Sequence, residues 1–201
     1  MPQACAVSVD AVDSAVLAVL AAVAPVLRRS GDRWYLFGAQ AVTIWGRPRL
    51  SADIDITVAI AGPPDDFVAA ILDAGFDLRV SDWRDLVART RVLPLLHRAT
   101  QMPLDVVLAG PGLEEEFLER AVVVTLAGMK VPVITPEDLI VTKLLAGRPK
   151  DVEDVRGILE ERHERLDLVR LRSLLRLLEE ALSRGDLRSE FERLLAAARD
   201  S

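Results

Sequence analysis

The spacing of apolar and polar residues differs between the two parts of the chain. The N-terminal part has both helical and strand patterns, whereas the C-terminal part has helical patterns throughout. In the first part, a helical period of apolar residues predicts helices at residues 9–29, 39–45, 65–74, 82–88 and 113–120. Short apolar or alternating runs predict strands at residues 33–37, 53–60, 76–80, 91–99, 104–109 and 122–126. Ser8 is the predicted N-cap of the first helix.

From Pro136 onward the pattern is helical throughout. Thr135 is a predicted N-cap with Pro136 at the first helical position. Helices are predicted to about residue 146, after Pro149, and near residues 167–183 and 187–199. We therefore predict an α/β (α+β) fold, with a core domain at residues 1–133 and a helical C-terminal subdomain at residues 134–201.

Two carboxylates lie on one face of the clearest predicted strand. Asp53, Asp55 and Thr57 share that face because side chains alternate along a strand. Neighbouring carboxylates repel each other at neutral pH, and a Mg²⁺ ion with oxygen ligands relieves the repulsion. A solvated strand face, or carboxylates paired with arginines, is the alternative interpretation.

The residues around this strand suit a phosphate group. Gly38 follows a strand and opens a helix, where backbone N–H groups point toward an anion. Arg49 and Ser51 lie just before the two carboxylates. Together these groups could surround a triphosphate, although Gly38 could equally belong to an ordinary strand–helix turn.

A third carboxylate lies in another apolar strand. Asp105 interrupts the run from Leu104 to Leu108, where an isolated charge would be costly if buried. If the two strands are neighbours, Asp105 completes a set of three, as a base for an incoming hydroxyl or a ligand to a second metal. A strand edge facing water is the alternative.

Charge, cysteine content and hydropathy exclude several classes of protein. The net charge of −6 argues against nucleic-acid binding over the whole surface, though not in a local cleft. Cys5 is the single cysteine, so no internal disulfide can form and a cytoplasmic location is expected. The most apolar stretch, residues 15–27, is too short to cross a membrane. His97 and His163 lack the spacing of a metal site.

Two segments resemble the DNA polymerase β-like nucleotidyltransferase superfamily. Residues 36–58, LFGAQAVTIWGRPRLSADIDITV, are similar to its glycine-led helix followed by an Asp-x-Asp strand. Residues 132–155, PVITPEDLIVTKLLAGRPKDVEDV, resemble the later part of a branch of uncharacterised bacterial nucleotidyltransferases and abortive-infection type E (AbiEii-like) toxins. The resemblance implies a minimal nucleotidyltransferase sheet with flanking helices in the predicted core.

The resemblance also implies roles for individual residues. Asp53, Asp55 and Asp105 would be catalytic and bind Mg²⁺, or Mn²⁺ in its place, while Lys143 would reach phosphate or a developing charge. The following residues would complete the nucleotide site: Gly38, Ala39, Arg49, Ser51, Arg148, Asp151 and Asp154. Ala39 departs from the commonest pattern, which has glycine or serine there.

The function implied is transfer of a nucleoside monophosphate from an NTP to a hydroxyl acceptor. The toxin branch implies tRNA as acceptor and a cognate antitoxin as partner, whereas a protein hydroxyl or a small molecule remains an alternative. A catalytically degenerate nucleotide-binding or partner-binding module of the same fold is a second interpretation. A helical interaction protein with a Leu-rich C-terminal half is a third.

Overall fold

The computed structural model describes residues 13–31, 33–49 and 51–200, so Cys5 and the predicted N-cap Ser8 lie outside the described residues. The helices are α1 (Ser14–Arg29), α2 (Gly38–Trp45), α3 (Pro64–Asp73), α4 (Trp83–Thr90), α5 (Leu113–Arg120), α6 (Pro136–Ala146), α7 (Pro149–Arg162), α8 (Leu168–Leu182) and α9 (Leu187–Arg199). The strands are β1 (Trp34–Phe37), β2 (Ile54–Val58), β3 (Phe76–Leu78), β4 (Val92–His97), β5 (Met102–Leu108), β6 (Val122–Leu126) and β7 (Met129–Val133). A short 3₁₀ helix spans His163–Arg165.

The chain divides into two compact units. The sheet unit contains residues 1–40 and 50–134, and the helical unit contains residues 41–49 and 135–201. The predicted boundary near residue 133 lies beside this division, but the helical unit also includes residues 41–49. The prediction that residues 1–133 and 134–201 are separate domains stays a prediction.

The strands of the sheet unit form one mixed sheet in the order β3-β4-β5-β2-β1-β7-β6. The central strand β2 pairs antiparallel with β1 and parallel with β5. Alternation explains its two faces, because Ile54, Ile56 and Val58 are fully buried whereas Asp55 between them is partly exposed. Helix α1 packs against α3 and β5, and its apolar stripe supplies part of the core. The predicted mixed α/β fold class is confirmed.

The helical unit packs its long helices around leucine-rich stripes. Helix α6 contacts α7, α8 and α9, and α9 also contacts α7 and α8. Thr135 accepts a hydrogen bond from the backbone N–H of Asp138 (3.2 Å), and Gly147 ends α6 with a positive φ of 64°. The prediction that Thr135 caps this helix and that Pro136 is its first residue is therefore confirmed.

Two predictions of local structure are wrong. The predicted first helix is interrupted at Asp13, whose backbone is not helical and whose side chain accepts a hydrogen bond from the N–H of Ala15 (2.8 Å), so that α1 begins at Ser14; residues 9–12 of the prediction lie outside the described residues. Strand β7 was not predicted. It forms a hairpin with β6 through Ala127 and Gly128, both with positive φ.

None of the helices among the described residues is both long enough and apolar enough to cross a bilayer.

Candidate active site

Three aspartates converge on one face of the sheet unit. Asp55 lies in β2 and Asp105 in β5, and the parallel register of these neighbouring strands places the two residues directly side by side. Asp53 directly precedes β2, two residues before Asp55. Each of the three offers a carboxylate oxygen, and these oxygens lie within 4.8 Å of one another. We refer to Asp53, Asp55 and Asp105 as the acidic corner.

Alternation along the strands explains why the acidic corner does not disturb the core. The residues on either side of Asp105, Leu104 and Val106, are fully buried on the opposite face of β5. The Asp105 side chain keeps 28% of its surface exposed. The carboxylates therefore remain accessible to a ligand while their neighbours hold the two strands in the core.

The electrostatic environment of Asp105 combines three effects. Partial burial raises the pKa of the Asp105 carboxyl above its ordinary value, because it disfavours the charged form. The guanidinium of Arg79 opposes this shift through its charge and its hydrogen bond, and the negative charge of Asp53 adds to it. The pKa of Asp105 is raised overall, which makes it the better proton acceptor.

Neighbouring polar groups orient Asp53. The hydroxyl of Ser51 donates a hydrogen bond to Oδ1 of Asp53 (2.6 Å). The amide Nε2 of Gln40 lies 3.5 Å from the backbone carbonyl oxygen of Asp53. These contacts leave Oδ2 of Asp53 available to another partner while the backbone that carries it is held in place.

The position of the Asp55 carboxylate requires a glycine at residue 38. Its φ is +65°, a conformation that L side chains rarely adopt. A Cβ atom at this position would lie 1.9 Å from Oδ2 of Asp55 and 2.7 Å from its Cγ, so any side chain would displace the carboxylate. The glycine thus makes room for the acid, a role separate from the phosphate approach expected from the sequence.

The donor set of the acidic corner fits a divalent cation. Carboxylate oxygens are the ligands that Mg²⁺, Mn²⁺ and Ca²⁺ accept, and opposite oxygens of an octahedral Mg²⁺ site lie about 4 Å apart. The oxygens of Asp53, Asp55 and Asp105 come within 4.8 Å of one another, close to this spacing. A divalent cation could therefore be held here after small rotations of the side chains.

The remaining predicted polar residues lie in the helical unit and form a network of their own. The ammonium of Lys143 is 2.8 Å from Oδ2 of Asp154 and 3.1 Å from Oδ1 of Asp151. Arg49 contacts both oxygens of Asp154, at 2.6 and 3.0 Å. Arg148 contacts both oxygens of Asp151, at 2.5 and 3.2 Å. We refer to Lys143, Arg49, Arg148, Asp151 and Asp154 as the Lys143 network.

Burial and charge pairing are both pronounced in this network. The side chains of Asp151 and Asp154 are 0% and 2% exposed, and that of Lys143 is 8% exposed. Burial raises the pKa of Asp151, but hydrogen bonds from Arg148 and Lys143 outweigh it, so the pKa lies below its ordinary value. Two carboxylates thus share three cationic side chains.

The structure therefore arranges the predicted residues in two sets. Asp53, Asp55 and Asp105 come together, with Gly38 against Asp55 and Ser51 against Asp53. Ala39 is buried next to Gly38 at the start of α2. The other predicted residues, Arg49, Lys143, Arg148, Asp151 and Asp154, contact one another.

Sequence reasoning missed Arg79. This residue directly follows β3, and its guanidinium forms an ion pair with Asp105. Strand β3 reaches β5 only through β4, to which both are antiparallel. The spacing of 26 residues between Arg79 and Asp105 therefore carries no local signal.

Solved structures resemble this chain to different degrees. The crystal structure of the lincosamide antibiotic adenylyltransferase LnuA, lincomycin-bound, is similar with a TM-score of 0.51 and 14% sequence identity, covering 73% of this chain and 96% of that chain. JHP933 from Helicobacter pylori has a TM-score of 0.46 and 16% identity, covering 94% of this chain and 92% of that chain. The antibiotic-resistance factor ANT(2'')-Ia has a TM-score of 0.44 and 16% identity, with 92% of each chain covered. The similarity to LnuA places the chain in the nucleotidyltransferase fold class.

The family follows from the sequence match. The model of the family described as nucleotidyltransferase of unknown function (DUF6036) matches residues 19–195, and the chain belongs to this family. No curated protein matches the chain significantly in sequence. The predicted nucleotidyltransferase superfamily is confirmed and the protein is an enzyme of this class. The abortive-infection branch stays a prediction.

Proposed function

We propose that the protein transfers a nucleoside monophosphate from an NTP to a hydroxyl acceptor, with the acidic corner as the catalytic site. The observation that carries the proposal is the side-by-side register of Asp55 and Asp105 on parallel strands, with Asp53 two residues before Asp55. Three converging carboxylates, partly exposed and within 4.8 Å of one another, suit the binding of a divalent cation and not the stability of the fold. Membership of a nucleotidyltransferase family supports the same chemistry.

In this proposal Asp53, Asp55 and one carboxylate oxygen of Asp105 hold Mg²⁺, with Mn²⁺ as a substitute. Ser51 keeps Asp53 in position through its hydroxyl, and Gly38 leaves the space that the Asp55 carboxylate occupies. A bound divalent cation would neutralise triphosphate oxygens and withdraw electrons from phosphorus. The backbone N–H groups of Gly38 and Ala39, at the start of α2, would bind phosphate oxygens.

Asp105 is proposed as the base. The acceptor oxygen forms a bond to the α-phosphorus as the bond from that phosphorus to the bridging oxygen breaks, so pyrophosphate leaves. The proton of the acceptor hydroxyl passes to a carboxylate oxygen of Asp105. The raised pKa of Asp105 supports this role, because a stronger base takes a hydroxyl proton more readily.

The nucleotide-binding role of the Lys143 network stays a prediction from the resemblance. Its geometry supports a role for Asp151 and Asp154 in orienting Lys143, since both carboxylates contact the ammonium. Arg148 supports the arrangement through Asp151.

The proposed acceptors are tRNA, as the toxin resemblance implies, and a small hydroxyl compound. LnuA is a lincosamide antibiotic adenylyltransferase and shares the fold, which makes a small acceptor the natural second candidate. Six arginines that an RNA acceptor could use contact acids or backbone carbonyls instead: Arg47, Arg49, Arg84, Arg89, Arg91 and Arg98. They offer less positive charge to RNA than their number suggests. A cognate antitoxin and a cytoplasmic location stay predictions.

The experiment is incubation with each α-labelled NTP and Mg²⁺ or Mn²⁺, in separate reactions with total tRNA and with a panel of lincosamides and aminoglycosides. We expect label on an acceptor with the unaltered protein, and none after EDTA or with Asp53→Asn. Asp65→Asn is the matched control, because Asp65 is an exposed acid of the same unit paired with Arg84. It should retain full activity.

The outcomes separate the alternatives. Label on tRNA identifies the RNA acceptor, and label on an antibiotic identifies the small one. Label on the protein itself would indicate a protein hydroxyl as acceptor. Full activity of Asp53→Asn would overturn the assignment of the acidic corner. Nucleotide binding in calorimetry without transfer to any acceptor would favour the degenerate, non-catalytic interpretation.

A further inference from the structure

We propose that Arg79 is an exchangeable internal cation of the acidic corner, which neutralises Asp105 until a divalent cation displaces it. The inference rests on the proposed function, because it takes Asp53, Asp55 and Asp105 as the cation site. It adds a residue that neither the sequence pattern nor the family resemblance assigned. Before the cation binds, Arg79 acts on the site through Asp105; once displaced, it is placed to contact phosphate directly.

The first argument is the contact itself. The guanidinium Nη2 of Arg79 forms an ion pair with Oδ1 of Asp105, one of the three acids whose oxygens converge. The Asp105 side chain is only 28% exposed, so its charge is partly buried, and the guanidinium of Arg79 offsets the cost of that burial. In the absence of a metal, the arginine thus supplies the positive charge that the three carboxylates need.

The second argument is competition for the same carboxylate. A divalent cation lies about 2.1 Å from its carboxylate ligand, and a guanidinium about 2.9 Å from its acceptor. Two cations on the Asp105 carboxylate would therefore lie within about 5 Å of each other. The two cations repel each other strongly at that distance in a partly buried site. Binding of the metal ion therefore weakens the ion pair between Arg79 and Asp105.

The third argument is that Arg79 is able to move. Its side chain is 35% exposed, and it is anchored through its backbone, where the N–H donates to the carbonyl of Pro94 (3.0 Å). The guanidinium can therefore leave Asp105 while the backbone stays on the sheet edge formed by β3 and β4. A displaced guanidinium remains close to the corner and can donate to an anionic phosphate.

The experiment measures Mn²⁺ affinity by calorimetry and electron paramagnetic resonance, without nucleotide or acceptor. We compare the unaltered protein with Arg79→Gln, Arg79→Lys and Arg84→Gln. Arg84→Gln changes the net charge equally but removes an exposed arginine that pairs with Asp65. We expect Arg79→Gln to bind Mn²⁺ about five- to tenfold more tightly, because the competing charge is gone. Arg79→Lys and Arg84→Gln should stay within about twofold of the unaltered protein.

The same variants are then titrated with an NTP in the presence of saturating Mn²⁺. We expect the opposite direction, with Arg79→Gln binding the nucleotide several-fold more weakly and Arg79→Lys restoring most of the affinity. Circular dichroism and thermal unfolding check that each variant is folded. If Arg79→Gln does not fold, Arg79→Met takes its place, because it also removes the competing charge while keeping an unbranched side chain; the same tighter binding of Mn²⁺ is expected and unchanged affinity contradicts the inference.

Failure of the inference is distinguishable from failure of the proposed function. If Asp55→Asn abolishes Mn²⁺ binding but Arg79→Gln binds Mn²⁺ no more tightly than the unaltered protein, Arg79 is a structural ion pair and the inference is wrong. If the unaltered protein and Arg79→Gln both bind no Mn²⁺, the cation site itself is wrong. Tighter Mn²⁺ binding combined with weaker nucleotide binding supports the exchange.

Discussion

The acidic corner and the Lys143 network both bring aspartates together, yet they neutralise them in different ways. In the network, Asp151 and Asp154 are almost fully buried and share the cations of Lys143, Arg49 and Arg148. In the corner, three carboxylates converge while remaining partly exposed, and Arg79 contacts Asp105 from the sheet edge.

The difference predicts that mutations in the Lys143 network act first on stability and that mutations in the acidic corner act first on the proposed cation binding. Buried charges persist only when they are paired, so removal of a partner in the network should unfold the protein more easily. Converging carboxylates near the surface repel one another, so removal of one should cost little stability while weakening cation binding. Mutations in the two groups should therefore affect different measurements.

The largest expected effect is on activity in the acidic corner. Asp55→Asn should lower nucleotidyl transfer at least about 10³-fold, because a neutral amide holds a divalent cation poorly. Its free energy of unfolding without metal should fall by no more than about 1 kcal/mol, since the change also removes repulsion. Labelled transfer assays and urea unfolding in EDTA measure the two quantities. A loss of stability as large as the loss of activity would contradict the comparison.

The next effect is on stability in the Lys143 network. Asp154→Asn should lower the free energy of unfolding by about 3 kcal/mol, because Lys143 and Arg49 lose a buried counter-charge. Glu153→Gln is the matched control on the same helix, since Glu153 is 63% exposed in its pair with Arg156. It should change stability by less than about 0.5 kcal/mol. Equal effects in the two variants would show that burial does not distinguish them.

A smaller effect tests the space that Gly38 leaves for Asp55. Gly38→Ala should lower the free energy of unfolding by about 2 kcal/mol and also weaken Mn²⁺ binding, because the Cβ would displace the carboxylate. Gly128→Ala is the matched control, because Gly128 also has a positive φ but nothing lies within 4 Å of the point that a Cβ would occupy there. It should cost about 1 kcal/mol and leave Mn²⁺ binding unchanged. Unchanged Mn²⁺ affinity in Gly38→Ala would contradict the steric role.

The smallest effect concerns pH and a histidine outside both groups. Burial lowers the pKa of His97, and the charge of Arg98 lowers it further. The unfolded chain therefore binds a proton more readily, so His97 contributes stability above its unfolded pKa of about 6.5 that is lost as the pH falls below it. Urea unfolding at pH 7.5 and 5.5 should show a smaller decrease for His97→Gln than for the unaltered protein. His163→Gln should keep the full decrease, because His97 is still present.

Much of the fold could be predicted because local patterns determine it. The alternation in residues 54–58 predicted the buried face of Ile54, Ile56 and Val58, whereas on the other face Asp55 is partly exposed and Thr57 is buried. Thr135 and Pro136 predicted the start of α6 through local capping. Strand β7 was not predicted, although Ala127 and Gly128 form the turn that joins it to β6. The reason is Pro132, which interrupts the apolar run of residues 129–133, because proline is unusual in an inner strand.

The sequence by itself determined the acidic strand, the glycine that opens α2 and the family, since these depend on residues close together in the chain. Only the tertiary structure decided that Asp105 lies beside Asp55, that Arg79 pairs with Asp105 and that Gly38 makes room for Asp55. The physical reason is that strand pairing between distant segments depends on packing of the whole sheet. No local period encodes which strands become neighbours or in which register.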